Sequence, residues 1–157
     1  MNDIVVTANG GHFLLSLHCG PRIFSFAATK VFPSLPELLL CLQDISEGRD
    51  SAACRWRAEP GGVFLDFTNF DSHLTLAVHE MSDAPEGHPA WSPVRGHPLV
   101  VTHATTATFL SSMCTQLRSL HSAESRQPRR HYPAEAQNRL TEPIDLSVIK
   151  RIEDTLP

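Results

Sequence analysis

The sequence predicts an α+β protein: a single, mainly antiparallel sheet of about five or six strands, with two helices packed on one face and a C-terminal tail that carries a short helix. Two observations support this class. Several runs alternate apolar and polar residues between turn-forming residues, which indicates antiparallel strands with one buried face. Two other segments place apolar residues at helical spacing, which indicates amphipathic helices. A chain of 157 residues is long enough to bury one core without disulfides or metals.

The chain divides into a predicted domain over residues 1–121 and a tail over residues 122–157. The tail begins with a polar, basic and proline-containing stretch, residues 122–141, whose composition is typical of a linker. Asp145 then has the position of a helix cap. The apolar stripe that follows consists of Leu146, Ile149, Ile152 and Leu156. We expect so short a helix to be ordered only by docking, either on the body of this chain or on another copy or partner.

The N-terminus predicts a β-hairpin. Residues 4–6 and 13–17 are apolar runs on either side of an Asn-Gly-Gly sequence, residues 9–11, which tolerates the positive φ angles of a tight turn. After a Gly-Pro break, residues 22–26 partly alternate, and we expect a further strand there.

The next segment organises the rest of the chain. Ser34 and Glu37 have the spacing of a capping box, in which the two side chains satisfy free N–H groups of the first helical turn. We therefore expect a helix from Leu35 to about Glu47, with Gly48 as the left-handed residue that follows it.

Three strands should follow as an antiparallel meander. They cover approximately residues 52–58, 63–70 and 73–80, and the segments between them, residues 59–62 and 71–72, have turn compositions. Each run places apolar residues on one face only, which predicts one buried and one exposed side for this part of the sheet.

A last strand, residues 98–102, leads through Thr105 or Thr106 as N-cap into a second helix that should end near His121. The apolar positions of these helices and strands predict a common core. Its members are Leu38, Leu42, Trp56, Leu65, Phe67, Leu76, Val78, Phe109, Met113 and Leu117.

The common hydrolase, nucleotide-binding and metalloprotease signatures are missing from the sequence, which weakens the case for an enzyme without closing it, and we predict no cofactor. Two strands carry histidines at the same spacing, His73 with His79 and His97 with His103. If His73 lies opposite His103, the strands bring the four rings together as two pairs. Two imidazoles alone make a weak metal site, so we predict no bound metal.

Composition limits the cellular setting and the partners. The four cysteines contain no C-x-x-C pair, and we expect them to be reduced. The chain has no apolar window long enough to span a bilayer and begins without the pattern of a signal peptide, so we expect a cytoplasmic protein with no membrane partner. The net charge of −4 lies in residues 1–121, which should repel nucleic acid and suit a basic protein partner.

The candidate binding site centres on the loop of residues 81–96. Its Trp91 either pins the loop to the body or contacts a partner, and Asp83 and Glu86 place acidic charge beside that aromatic ring. The neighbouring acidic residues that we add to this surface are Asp66, Asp71 and Glu80, for which a merely solvated acidic face is the alternative interpretation.

The order of motifs resembles a known family. A helix with the sequence LPELLLCL is followed by Glu-Gly, the strand motif RWR, the turn EPGG, strands VFLDF and LTLAV, and a later helix of the form F-x-x-x-M-x-x-x-L. This order resembles that of the small cytoplasmic immunity proteins of bacterial polymorphic-toxin and contact-dependent inhibition systems, over about residues 4–121. The resemblance implies a non-enzymatic antitoxin that binds a cognate protein toxin and covers its active site.

Two other classes stay open. One is an adaptor or secretion chaperone whose final helix docks into a groove of a partner protein. The other is a small enzyme with a non-standard site among its histidines. Seeing the neighbouring reading frame, or a pull-down with a co-encoded toxin, distinguishes them.

Overall fold

The computed structural model describes residues 3–30, 32–58, 61–82, 94–126 and 144–157. These residues form an α+β fold with two antiparallel sheets and three helices. In chain order the elements are β1 (Asp3–Asn9), β2 (His12–Cys19), β3 (Arg22–Thr29), α1 (Ser34–Ser46), β4 (Ser51–Arg57), β5 (Gly62–Phe70), β6 (His73–Ser82), β7 (Val94–Thr105), α2 (Thr106–Arg126) and α3 (Leu146–Thr155).

The strands lie in two sheets in which each strand pairs with the next in sequence. Strands β1, β2 and β3 form a three-stranded sheet, which we call the N-terminal sheet, and β4 to β7 form a four-stranded one, the central sheet. The predicted single sheet of five or six strands is therefore wrong. The strands divide into two sheets because α1 follows β3 and the side chains of α1 bind the edge of β4. Strands β3 and β4 therefore do not pair.

The predicted hairpins are confirmed. The N-terminal hairpin and the strand expected at residues 22–26 form β1 to β3, and the meander forms β4 to β6. Asp71 and Ser72, which join β5 to β6, have φ angles of 48° and 65°. Both values are positive, as a two-residue turn matching the twist of its strands requires.

Two of the three predicted N-caps are confirmed. Thr105 caps α2, because its Oγ1 accepts a hydrogen bond from the Thr108 N–H at 3.3 Å. Asp145 caps α3 and accepts from the Ser147 N–H at 2.9 Å. Helix α2 continues to Arg126, so the predicted division after residue 121 falls within it.

The predicted core is confirmed, because all ten of its members are buried in one apolar cluster. Helix α1 packs mainly on β4, whereas α2 contacts β1 of the N-terminal sheet as well as β6 and β7 of the central sheet. Helix α3 contacts both larger helices and contributes Val148, Ile149 and Ile152 to the same cluster. The two sheets and three helices thus share one hydrophobic core.

The predicted capping box at α1 is wrong. Helix α1 has no side-chain hydrogen bond at its N-terminus. Instead, the Ser34 hydroxyl accepts a hydrogen bond from the Arg57 N–H at 3.1 Å, and Glu37 Oε2 accepts from the Arg55 N–H at 3.0 Å. The two side chains satisfy the outward N–H groups of β4, the edge of the central sheet.

Two further sheet edges are covered by single side chains. The Gln116 amide of α2 accepts from the Val6 N–H at 2.7 Å and donates to the Ile4 carbonyl, so it replaces a peptide group of a neighbouring strand along β1. The Trp56 indole N–H donates to the Phe26 carbonyl of β3 at 2.8 Å. Edges β1, β3 and β4 therefore each have a polar side chain bound to their backbone.

Candidate partner-binding surface

The central sheet turns one face to the core and the other to solvent. A row of Cα partners crosses the solvent-facing side from β4 to β7, namely Ala53, Asp66, Ala77 and Val101. Their neighbours along each strand point to the core, because side chains alternate in a pleated sheet. We call this solvent-facing side the outer face. Ala53 and Val101, at its two ends, are exposed.

An open cleft lies where α1 borders the outer face. Its volume is 420 Å³. Residues from α1, β4, β5 and β7 line it: Glu37, Leu40, Cys41, Asp44, Ala53, Cys54, Arg55, Phe64 and Arg95. Leu40 stands at its rim and is 60% exposed. The cleft combines apolar, acidic and basic side chains, a mixture that suits a protein surface rather than a purely apolar ligand.

Two arginine–carboxylate pairs fix the polar groups of the cleft. Arg55 donates to Glu37 at 2.7 Å and 3.2 Å, and this bonding to a carboxylate raises the pKa of the arginine. Arg95 reaches from β7 to Asp66 of β5 with three contacts between 2.8 and 3.1 Å. Bidentate geometry of this kind holds both partners in a single orientation.

Arg95 also covers an aromatic ring. Its guanidinium lies 4.7 Å from the ring centroid of Phe64, within the range of a cation–π interaction. The Nε2 atom of His79 is 3.6 Å from Oδ2 of the same Asp66 carboxylate. Phe64, Asp66, His79 and Arg95 thus form one cluster on the outer face.

A pair of thiols lies beneath the cleft. Hydrogen bonding between the two thiols lowers the pKa of Cys41 and, together with burial, raises the pKa of Cys54 well above its usual value. Cys114 is distant in the fold, and burial raises its pKa to about 11. All four cysteines are free, and Cys19 alone among them is partly exposed.

The predicted site residues are placed in different parts of the molecule. Asp66 lies in the centre of the outer face and binds Arg95. Asp71 is in the β5–β6 turn, whereas Glu80 lies near the other end of β6, opposite Val63, and is exposed. The structure does not bring these three together. The other predicted residues, Trp91, Asp83 and Glu86, lie outside the described residues.

The register under which the histidines of the two strands would pair is not the one in the structure. His73 lies opposite Thr105, and His103 lies opposite Thr75, whose hydroxyl is 2.9 Å from its Nδ1. The two strands are shifted by two residues from the arrangement that pairs the rings, and the hydrogen bond from the Thr106 N–H to the Ser72 carbonyl follows the same register. Within the described part of the chain, no group of three or more His, Cys, Asp or Glu is placed to hold a metal ion.

Sequence reasoning missed Glu37, Arg55 and Arg95 as site residues. Glu37 was assigned to the helix cap, and the two arginines pair with carboxylates on elements that are not adjacent in sequence. One sequence signal for this cluster was Phe64, an apolar residue at a strand position that the alternation of side chains assigns to the solvent-facing side.

The fold and this surface define the class as an α+β protein with two antiparallel sheets and an open cleft at the edge of one of them. No protein-family model matches the chain, and no curated protein or solved structure gives a significant match. Among the helices described, none is both long and apolar enough to cross a membrane.

Proposed function

We propose that this chain is a non-enzymatic immunity protein that binds a cognate bacterial toxin through the outer face of the central sheet and covers the active site of the toxin. One observation carries the proposal. The outer face is open and joins exposed small and apolar residues to a cleft whose charged groups are already held in place. A surface with these properties supports protein binding.

The cleft supplies the groups that concentrate binding energy. Arginine and aromatic side chains are enriched among the residues that dominate interface affinity. Arg55 and Arg95 are each bound to a carboxylate, so little side-chain entropy is lost when a partner contacts them. Leu40 at the rim offers apolar area that a partner can bury.

The acidic excess and the predicted loop extend this surface. The chain carries a net charge of −4, which speeds association with a basic toxin more than it tightens the complex. Ser82 and Val94, where the described strands β6 and β7 meet the loop, are paired beside Arg95. We therefore keep Trp91, Asp83 and Glu86 in the proposed contact surface.

The test uses the gene product encoded beside this chain. The candidate toxin is produced with the chain in cells, and growth and the dissociation constant of the purified pair are measured. We expect Ala53→Arg, which places a long side chain in the cleft at the β4 end of the outer face, to weaken binding at least tenfold and to abolish protection. Ser111→Arg, on the exposed side of α2, is the matched control and should change neither.

Two results oppose the proposal in different ways. Full protection and unchanged affinity for Ala53→Arg, with the same melting temperature as the unaltered chain, would place the contact on another surface. Failure of the neighbouring gene product to bind or to harm cells would remove the toxin as partner.

An adaptor or secretion chaperone is the second candidate function. That alternative uses the final helix to dock into a partner groove, yet Val148, Ile149 and Ile152 are buried in the core of this chain. An adaptor would have to use a different surface.

A further inference from the structure

Strand β7 is the fourth sheet edge of the molecule, and it differs from the other three. At edges β1, β3 and β4, backbone groups are hydrogen-bonded to a side chain of another element. Along β7, no residue in the described part of the chain bonds to the outward backbone groups of Val101 or His103. A long edge strand without such cover is a template for pairing with another strand.

One hydrogen bond fixes which groups of β7 point outward. The Thr106 N–H donates to the Ser72 carbonyl at 2.9 Å, so this pair is a hydrogen-bonded pair of the β6–β7 ladder. Such pairs alternate along antiparallel strands, and Val100 opposite Val78 is therefore also hydrogen-bonded. The N–H and C=O groups of Val101 and His103 must point away from β6, toward the open edge.

The residues along the β7 edge are uncharged or apolar, which favours burial of this edge against another strand. Residues 96–106 contain no Asp, Glu, Lys or Arg. Leu99 is 43% exposed and Val101 is 50% exposed. The part of β7 that can pair with another strand is limited at both ends. On one side Pro98 has no N–H and the register near His79 is irregular, and on the other side α2 begins.

We propose that β7 pairs antiparallel with β7 of a second copy of this chain, with the two-fold axis at Val101. The two central sheets then form one continuous eight-stranded sheet. Val101 of one copy faces Val101 of the other, and Leu99 faces His103, so the open donors and acceptors are satisfied reciprocally.

A second copy fits this edge for two physical reasons. An antiparallel strand pair about a two-fold axis is self-complementary, so one sequence provides both sides of the interface. Each copy carries a net charge of −4, and a charge-free edge lets two acidic chains meet without like charges in contact. A strand from a different protein is the competing occupant.

Cross-linking tests the register. Residues opposite each other in a hydrogen-bonded pair have Cα atoms about 5.5 Å apart, within the range that a disulfide spans. We expect the full chain with Val101→Cys to give a disulfide-linked dimer under mild oxidation. Ala53→Cys, exposed at the far side of the same sheet, is the matched control and should stay monomeric, as should the unaltered chain with its own four cysteines.

Light scattering over a concentration series tests the dimer without any added bond. We expect Val101→Lys, which places two like charges face to face, to raise the dimer dissociation constant at least about fivefold, whereas Val101→Thr should change it less than about twofold. A mass of 17.4 kDa at every concentration would overturn the proposal. So would a dimer that neither substitution weakens, or equal cross-linking of Val101→Cys and Ala53→Cys. These measurements need no toxin and are independent of the proposed function.

Discussion

Glu37 shows how one side chain can replace a strand. It sits in the first turn of α1, where a carboxylate ordinarily favours the helix N-terminus. Its two oxygens instead bind the Arg55 backbone N–H and the Arg55 guanidinium. The same residue therefore closes a sheet edge and orients a charged group of the cleft.

Removing this carboxylate should destabilise the fold. Glu37→Ala leaves a partly buried N–H of β4 without its acceptor, and we expect a loss of about 1–3 kcal/mol in the free energy of unfolding. Denaturant titration measures the loss. Glu47→Ala, at an exposed position one residue after α1, is the control and should change stability by less than about 0.5 kcal/mol. Equal effects of the two substitutions would contradict the role assigned to Glu37.

At the scale of elements, α3 belongs to the core although it follows a long polar stretch. A helix of 10 residues is marginal by itself, and here Ile149 and Ile152 are fully buried against the rest of the chain. The sequence prediction left open whether this helix docks on its own body or on a partner. The structure shows the first of these arrangements.

The contribution of α3 can be measured with one substitution. Ile149→Ala removes a buried side chain and leaves a cavity, and we expect a cost of about 2–5 kcal/mol. Leu146→Ala lies on the same helix at a position that is 37% exposed, and should cost much less. If both variants unfold at the same denaturant concentration as the unaltered chain, α3 does not contribute to the stability of the domain.

The docking of α3 should also depend on pH. Arg118 of α2 donates to Glu153 of α3 at 2.6 and 2.8 Å, which lowers the pKa of Glu153 below its usual value of 4.5. A lowered folded-state pKa gives stability that is present above pH 4.5 and is lost as the pH falls through the folded value. Both side chains are more than a third exposed, so we expect the effect to be under about 1 kcal/mol.

Thermal unfolding between neutral and acidic pH measures this dependence. Glu153→Gln should reduce the loss of stability below pH 4.5 relative to the unaltered chain. Asp154→Asn, which removes a carboxylate that pairs with Lys150 on the exposed side of the same helix, is the control and should reduce that loss less. An identical acid profile for Glu153→Gln and the unaltered chain would argue against the Arg118 contact.

Local signals predicted the individual elements better than their arrangement. The Asn-Gly-Gly and Asp-Ser turns and the caps Thr105 and Asp145 act within a few residues, so the sequence displays them directly. The division into two sheets depends on which strands become neighbours. The alternation of side chains predicts which face of a strand is buried, but it does not predict which other strand pairs with it.

The same limit applies to the candidate site. Asp66 was predicted because it is an acidic residue on an exposed strand face. Its partner Arg95 lies 29 residues away and reaches across β6, a distance that the sequence alone does not reveal. Ser34 and Glu37 carry a capping signal that is physically sound, but the edge of β4 offers competing N–H donors that enter only with the tertiary fold.

At the scale of the whole molecule, side chains rather than strand pairing join the two sheets. Trp56 of the central sheet bonds to Phe26 of the N-terminal sheet, and α2 bonds to the N-terminal sheet through Gln116. Lys30, just after β3, forms a 2.6 Å ion pair with Glu124 near the end of α2. Both Trp56 of the central sheet and helix α2 therefore connect the N-terminal sheet to the rest of the protein.

The Gln116 contact has a consequence for synthesis on the ribosome. Val6 and Gln116 are 110 residues apart, and ribosomes add about 5–20 residues per second, so the edge of β1 waits on the order of 5–20 s for its partner. The three N-terminal strands are joined by tight turns and can pair soon after they emerge. During this interval the nascent chain exposes an open apolar edge. Chaperones that bind this edge, or fast translation that shortens the interval, would then limit aggregation.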